Sequence, residues 1–271
     1  DKFYSLAFKN QSIGKAILGT KQSVSNFQKE NLKEFCNTYY NPSNLIIGIS
    51  GKFDEKKIIN IINKKFNKLE SGNKSYKPVY QWSSGFNFET KDLQQAHVVF
   101  GVEGLSNKDD QRLDLSALSI ILGGGMSSKL FQEIREKKGL CYSIFSFQSQ
   151  FSSTGIFGFY SACNPNDLDD LLLTSLNEIK NLNKNISLND LERAKAQLSS
   201  GFIRSQDFTF SRLERNVKSL MNHDKMYSEE EILNKIQKIK ISDLKLLYER
   251  LFEDPKIVTS IIGPEKRDFS G

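Results

Sequence analysis

Residues 122–143 read LGGGMSSKLFQEIREKKGLCYS, and the reading of this stretch decides what the chain becomes. Gly123, Gly124 and Gly125 interrupt the helical run DQRLDLSALSIIL, because glycine reaches backbone angles closed to other residues. A phosphate-cradling loop needs G-x-x-x-x-G-K-[ST] between a strand and a helix. Here Lys129 follows two serines and the preceding segment is helical, so the pattern does not point to a nucleotide. Instead, Ser127 or Ser128 caps a second helix, KLFQEIREKK, on which Glu133 and Lys137 pair at i,i+4, and Gly139 ends it. The strand LCYSIFSFQSQF follows. Strict alternation places Cys141, Ser143, Phe145, Phe147 and Phe151 on an apolar face. Tyr142, Ile144, Ser146, Gln148 and Gln150 fall on a largely polar one, so Tyr142 is expected to line a cavity, with Arg135 seven residues before it.

The rest of the chain alternates helix and strand. ENLKEFCNTYY is helical, with Leu32, Phe35, Cys36 and Tyr39 on one face and Pro42 as its stop. NLIIGISG reads as a buried strand, and FDEKKIINIINKKFNKL as a helix capped by Asp54 with Ile58, Ile62, Phe66 and Leu69 as its apolar stripe. ESGNKSYKPVYQWSSG then loses periodicity as linkers do. Later helices include ISLNDLERAKAQLSSGFI, where Ser187 and Asp190 fit a capping box and Leu191, Ala194, Leu198 and Phe202 follow helical spacing.

The 271 residues suit one large or two modest domains, and the composition is that of a globular chain. Its net charge of +6 is spread over lysine-rich helix faces without clustered arginines, which gives no support to nucleic-acid binding. No apolar run is long enough to span a membrane. Cys36, Cys141 and Cys163 lie far apart without a C-x-x-C, as thiols of a cytoplasmic protein would; the periplasm is the alternative compartment.

An internal repeat organises these elements. NLKEFCNTYYNPSNLIIGISG (31–51) superposes on DLKLLYERLFEDPKIVTSIIG (243–263), each a helix, a proline, an apolar strand and a closing glycine. The offset of 212 residues reads 1–72 as the tail of a first domain, 73–86 as a linker and 87–271 as a complete second copy. Roughly 125 residues of the first copy would then precede Asp1.

LGGGMSSKLFQEIREKKGLCYSIFSF followed by TGIFGFYSACNP resembles the second domain of insulinase/pitrilysin-type zinc peptidases, in the subgroup similar to mitochondrial processing peptidase and its bacterial relatives. SIGKAILGTKQSVSNFQKENLKEFCNTYYNPSNLIIGISGKFD is similar to the last third of their first domain. The resemblance implies an α+β fold, with a largely antiparallel sheet and helices packed on one face. Two such homologous domains would form half of a closing chamber.

Such peptidases hold zinc with an inverted H-x-x-E-H motif plus a downstream glutamate. This chain has only His97 and His223, neither in such a motif. The resemblance therefore implies zinc in the full-length enzyme and none bound by this part, which alone is expected to be inactive. It also implies that Arg135 and Tyr142, matching the family's R-x-x-x-x-x-x-Y, face the zinc of an opposite half. Tyr142 would stabilise charge on the scissile carbonyl oxygen and Arg135 would orient the substrate. Gly123, Gly124, Gly125, Met126 and Ser127 would let the peptide pass close to backbone. A capping arginine, a packed tyrosine and a plain glycine turn are the structural alternatives. The implied function is binding and processing of unfolded peptides, by addition to an exposed sheet edge, in a homodimer or with a homologous partner. The competing function is a non-catalytic partner or structural subunit of a heteromeric processing peptidase.

Overall fold

The computed structural model describes residues 1–73 and 78–264. In chain order its helices are α1 (Lys2–Ala7), α2 (Lys21–Ser25), α3 (Lys29–Tyr39), α4 (Glu55–Phe66), α5 (Arg112–Gly123) and α6 (Leu168–Asn185). They continue with α7 (Leu188–Gln206), α8 (Thr209–His223), α9 (Glu229–Gln237) and α10 (Ile241–Phe252). The strands are β1 (Gly85–Thr90), β2 (Ala96–Gly104), β3 (Cys141–Gln150), β4 (Gly155–Cys163) and β5 (Val258–Gly263). A π-helix, Phe131–Lys137, lies between α5 and β3.

The chain divides into two compact units that interleave along the sequence. The larger unit takes Asp1–Ala16, Val79–Ser200 and the chain from Glu229 on; the smaller takes Ile17–Pro78 and Gly201–Ser228. A serial division at 72 and 87 thus differs at both ends of the larger unit. The physical reason is aromatic packing. Phe3 and Phe8, in and just after α1, are buried with Trp82, a residue of the stretch read as linker. The Trp82 indole N–H also donates to the Lys256 carbonyl at 2.6 Å. Residues 74–77 of that stretch lie outside the described residues.

The larger unit is a five-stranded sheet in the order β1-β5-β2-β4-β3, antiparallel at each pairing except β1 with β5. The fold is therefore α+β, as the helix and strand periodicities indicate. Val98, Phe100, Val102, Phe157, Phe159 and Ile261 turn one sheet face toward α5, α6 and α10, and this layer is the main core. Apolar burial at this density is the principal stabilising term. The opposite face is covered in part by α1. There Gly101 stands opposite Gly158, and a methyl group on Gly101 would lie 2.7 Å from the Phe3 ring. The pair of glycines makes the groove into which Phe3 fits.

In the smaller unit the Asp54 carboxylate accepts from the Lys57 N–H and caps α4. Subtracting the 212-residue offset from Ile241, the first residue of α10, gives 29, the first residue of α3. The two copies differ afterwards. β5 sits between β1 and β2, whereas Leu45–Ser50 form no ladder with any described strand. Leu45, Ile46, Ile47 and Ile49 are exposed, which corrects the reading of this segment as a buried strand. An apolar run becomes a strand only when a neighbour satisfies its backbone groups, and composition does not reveal whether one is present. α8 crosses the segment closely: a methyl group on Gly48 would meet Val217 and Leu213 at 2.5 and 2.6 Å. Among the described residues no helix is long and apolar enough to cross a membrane.

Candidate functional site

The glycine stretch is built from three different constraints. Gly123 ends α5 against β3, where a methyl group would lie 2.3 Å from the Ser146 nitrogen. Gly124 packs back on Ile120, and Gly125 takes φ +140°, a conformation in which an L side chain is strained. The next residues are held by side chains. Gln197 of α7 donates to the Gly124 carbonyl at 3.0 Å, Ser128 to Gly125 at 2.6 Å and Gln132 to Met126 at 2.6 Å. Ser128 thus acts as a donor to the loop instead of accepting from the following helix. With these carbonyls engaged, the N–H groups of Gly125, Met126 and Ser127 have no acceptor among the described residues. Met126 and Ser127 are exposed.

Below the loop, Lys129 is tied to α7. Its ammonium lies 2.8 Å from the Asp190 carboxylate, which is 7% exposed and also receives Arg193 at 2.9 Å. Ser187 and Asp190 complete the capping box of α7 in both directions. Burial alone would raise the Asp190 pKa; the hydrogen bonds from Lys129 and Ser187 outweigh it and hold the carboxyl at about 2.

The helix carrying Arg135 is a π-helix, in which each N–H reaches the carbonyl five residues back and the turn widens. Phe131 and Arg135 come to lie on one side of it. The Arg135 guanidinium carbon is 4.6 Å from the Phe131 ring centre and 5.4 Å from that of Tyr142. Between two rings and with no carboxylate partner among the described residues, its planar fork keeps its N–H donors available.

β3 contains a bulge at the residue that matters. Cys141 pairs with Cys163 and Ser143 with Ala162, so Tyr142 and Ser143 together stand opposite one residue. Cys141 and Ile144 both pack into the helix-covered core. The bulge therefore places Tyr142 on the other face, with Phe145 and Phe147, and leaves it 77% exposed. This corrects the alternation that grouped Tyr142 with Ile144, Ser146 and Gln148. Those polar residues turn toward α5: Ser146 bonds to the Ser119 hydroxyl and carbonyl, and Gln148 to the Ser116 hydroxyl. Their polarity marks hydrogen bonding to a helix and no cavity. Tyr142 is likewise an exposed side chain.

The structure brings Arg135 and Tyr142 together. It also adds Phe131, Gln132 and Gln197, which sequence reasoning did not single out. Phe131 carried a signal, its i,i+4 spacing from Arg135; the two glutamines carried none. His97 Nδ1 is hydrogen-bonded to the Tyr160 hydroxyl at 2.8 Å. Among the described residues no three His, Cys, Asp or Glu side chains converge as a metal site. The residues present do not fit a zinc ion, and no step through one is derived for this chain.

Comparison with known proteins gives a consistent result. The family model described as the peptidase M16 inactive domain matches residues 26–198. An uncharacterized zinc protease of Rickettsia bellii is 34% identical over 265 residues, covering 97% of this chain and 64% of that protein. A chain from the structure of complex III2 from Candida albicans, with Inz-5 bound, superposes with a TM-score of 0.88 at 24% identity, covering 97% of this chain and 65% of that one. The peptidase M16 inactive domain from Pseudomonas fluorescens gives a TM-score of 0.85 at 18% identity, over 98% of this chain and 65% of that one. These two likenesses are of fold alone. The chain thus spans just under two thirds of the length of the proteins it matches.

Proposed function

The chain belongs to the M16 peptidase family, whose inactive-domain model covers most of it, and from that premise we propose that it supplies the peptide-gripping side of a zinc endopeptidase that processes unfolded peptides. The observation that carries this reading is the β-bulge that turns Tyr142 outward with Arg135 against its ring.

The peptide binds along β3. This strand is ten residues long, is paired only with β4 among the described residues, and contains no lysine or proline. Charged residues, proline and short length are the usual devices that keep an edge from pairing; here only the bulge is present. An extended peptide adding to this edge forms main-chain hydrogen bonds. It passes the N–H groups of Gly125, Met126 and Ser127, which donate to its carbonyls. The Tyr142 hydroxyl donates to the scissile carbonyl oxygen as negative charge develops on it, and Arg135 directs its donors at the same region. Zinc, which the relatives' names imply, is assigned to no residue of this chain. A second copy or a homologous chain supplies the opposite wall.

The test is Tyr142→Phe in the full-length protein, assayed on an unfolded peptide together with its zinc content. The expected result is a fall of roughly 10²–10³ in kcat with KM little changed. An unchanged kcat in a zinc-loaded enzyme removes Tyr142 from the chemistry. A full-length protein that folds, binds no zinc and cleaves nothing makes this chain part of a non-catalytic partner subunit.

A further inference from the structure

The face of the sheet away from the main core is only half covered. α1 lies over the end where Gly101 meets Gly158 and Phe147, with the Phe3 and Phe147 rings 6.3 Å apart edge to face. In the two rows beyond it Phe145 is exposed, Val99, Tyr160, His97 and Ser143 are half-buried and Ala162 is buried. In the first, Phe145 stands opposite Tyr160, and Tyr160 opposite Val99. In the second, Ser143 stands opposite Ala162, and Ala162 opposite His97. Phe145 is 47% exposed. The Phe145 and Tyr160 rings are 5.1 Å apart, and the Tyr160 hydroxyl reaches diagonally to His97 Nδ1. That bond engages the Tyr160 hydroxyl and His97 Nδ1, so the surface that Phe145 and Tyr160 offer outward is largely apolar. The bulge sets Tyr142 beside this platform and on the same face.

We propose that Phe145, Tyr160 and His97 form a side-chain subsite that selects a large apolar residue, aromatic or leucine-sized, in the peptide. The proposal rests on the reading that a peptide pairs with the β3 edge. Residues of paired strands that stand opposite one another share a face, so the peptide residue opposite Phe145 places its side chain over this platform. The Arg135 guanidinium lies against the Phe131 and Tyr142 rings. Among the described residues none of the platform positions carries a carboxylate, so an apolar occupant pays no charge desolvation there, whereas an acidic or basic one does. The subsite would set which stretch of an unfolded chain is presented to Tyr142. It thereby fixes specificity separately from the chemistry.

The test uses the full chain and a short Ser/Thr peptide with one central residue varied among Phe, Leu, Ala and Asp, with dissociation constants from titration calorimetry. The Phe peptide is expected to bind about tenfold or more tightly than the Ala peptide. Phe145→Ala should reduce that ratio to below about twofold. Phe145→Leu keeps apolar surface and should retain most of the ratio, which separates loss of the subsite from loss of fold. Peptides N-methylated on alternate backbone nitrogens should bind weakly whatever their central residue, because edge pairing needs those groups. If no peptide binds, or N-methylation changes nothing, edge pairing is wrong and the subsite falls with it. If binding is sensitive to N-methylation but the Phe-to-Ala ratio survives Phe145→Ala, the subsite alone is wrong.

Discussion

Asp190→Asn isolates one charge at the junction between α7 and the helix that follows the glycine loop. Asp190 accepts from Lys129, Arg193 and the Ser187 backbone and hydroxyl while itself nearly buried. Asparagine keeps the shape and can still accept one or two of these bonds, so the change chiefly removes the charge. With a folded pKa of about 2 against the ordinary 3.8, linkage assigns the ionised carboxylate about 2.4 kcal/mol of stability at neutral pH. The sign follows from the depressed pKa. The contribution is complete above the unfolded value, falls to about half at pH 3 and vanishes below pH 2. The variant should therefore melt about 4–8 °C below the parent at pH 7, followed by scanning calorimetry. The gap should narrow once the pH drops below about 4. A gap under 1 °C at pH 7, or one that stays constant down to pH 3, would refute the assignment of stability to this charge.

Other variants probe other parts of the fold. Asp114 has its pKa raised to about 6 by burial first, then by the negative charges of Asp243 and Asp109. The unfolded carboxyl ionises first, so stability is lost as pH rises from about 3.8 to about 6, and Asp114→Asn should stabilise the chain by about 1–2 kcal/mol at pH 8 and by little at pH 4. Denaturant midpoints at the two pH values check this, and equal gains at both would contradict it. Gly125→Ala has open space around the new methyl but a φ of +140°, so it should cost about 1 kcal/mol or more from backbone strain alone. A neutral effect on the midpoint would show that the loop relaxes freely. Trp82→Ala empties the contact with Phe3 and Phe8 and strands the Lys256 carbonyl, a loss of about 3–5 kcal/mol measurable in the same way.

Much of the fold was legible in the chain because its periodicities are strong and local. α5 and α7, the Ser187–Asp190 box, the Asp54 cap and the stop at Pro42 each depend on residues within a few positions of one another. The repeat places the first residues of α3 and α10 in register, the two helices running 11 and 12 residues. What escaped was decided by distant partners. Leu45–Ser50 and β5 have similar composition, yet only β5 meets neighbouring strands. Alternation misplaced Tyr142 because one extra residue in β3 shifts every later side chain to the other face. The polar residues Ser146 and Gln148 looked like part of a cavity-lining face until the serines of α5 supplied their partners. The seven-residue spacing of Arg135 and Tyr142 was visible, but the π-helix and bulge that join them were not. Trp82 sat in a stretch with every mark of a linker, and its role depends on a helix some 75 residues earlier.

Trp82 is also the one tryptophan of the chain, and it lies in the larger unit. Its indole is 5% exposed, with aromatic neighbours on two sides. Intrinsic fluorescence excited at the red edge of the spectrum is therefore a private reporter of that unit, silent about α3, α4 and α8. Far-ultraviolet dichroism, by contrast, sums the helices of both units. Recorded together during denaturation, the two signals ask whether the interleaved units lose structure in one step: superimposable curves mean a single cooperative body, and a dichroism loss that precedes the spectral shift means the smaller unit opens first.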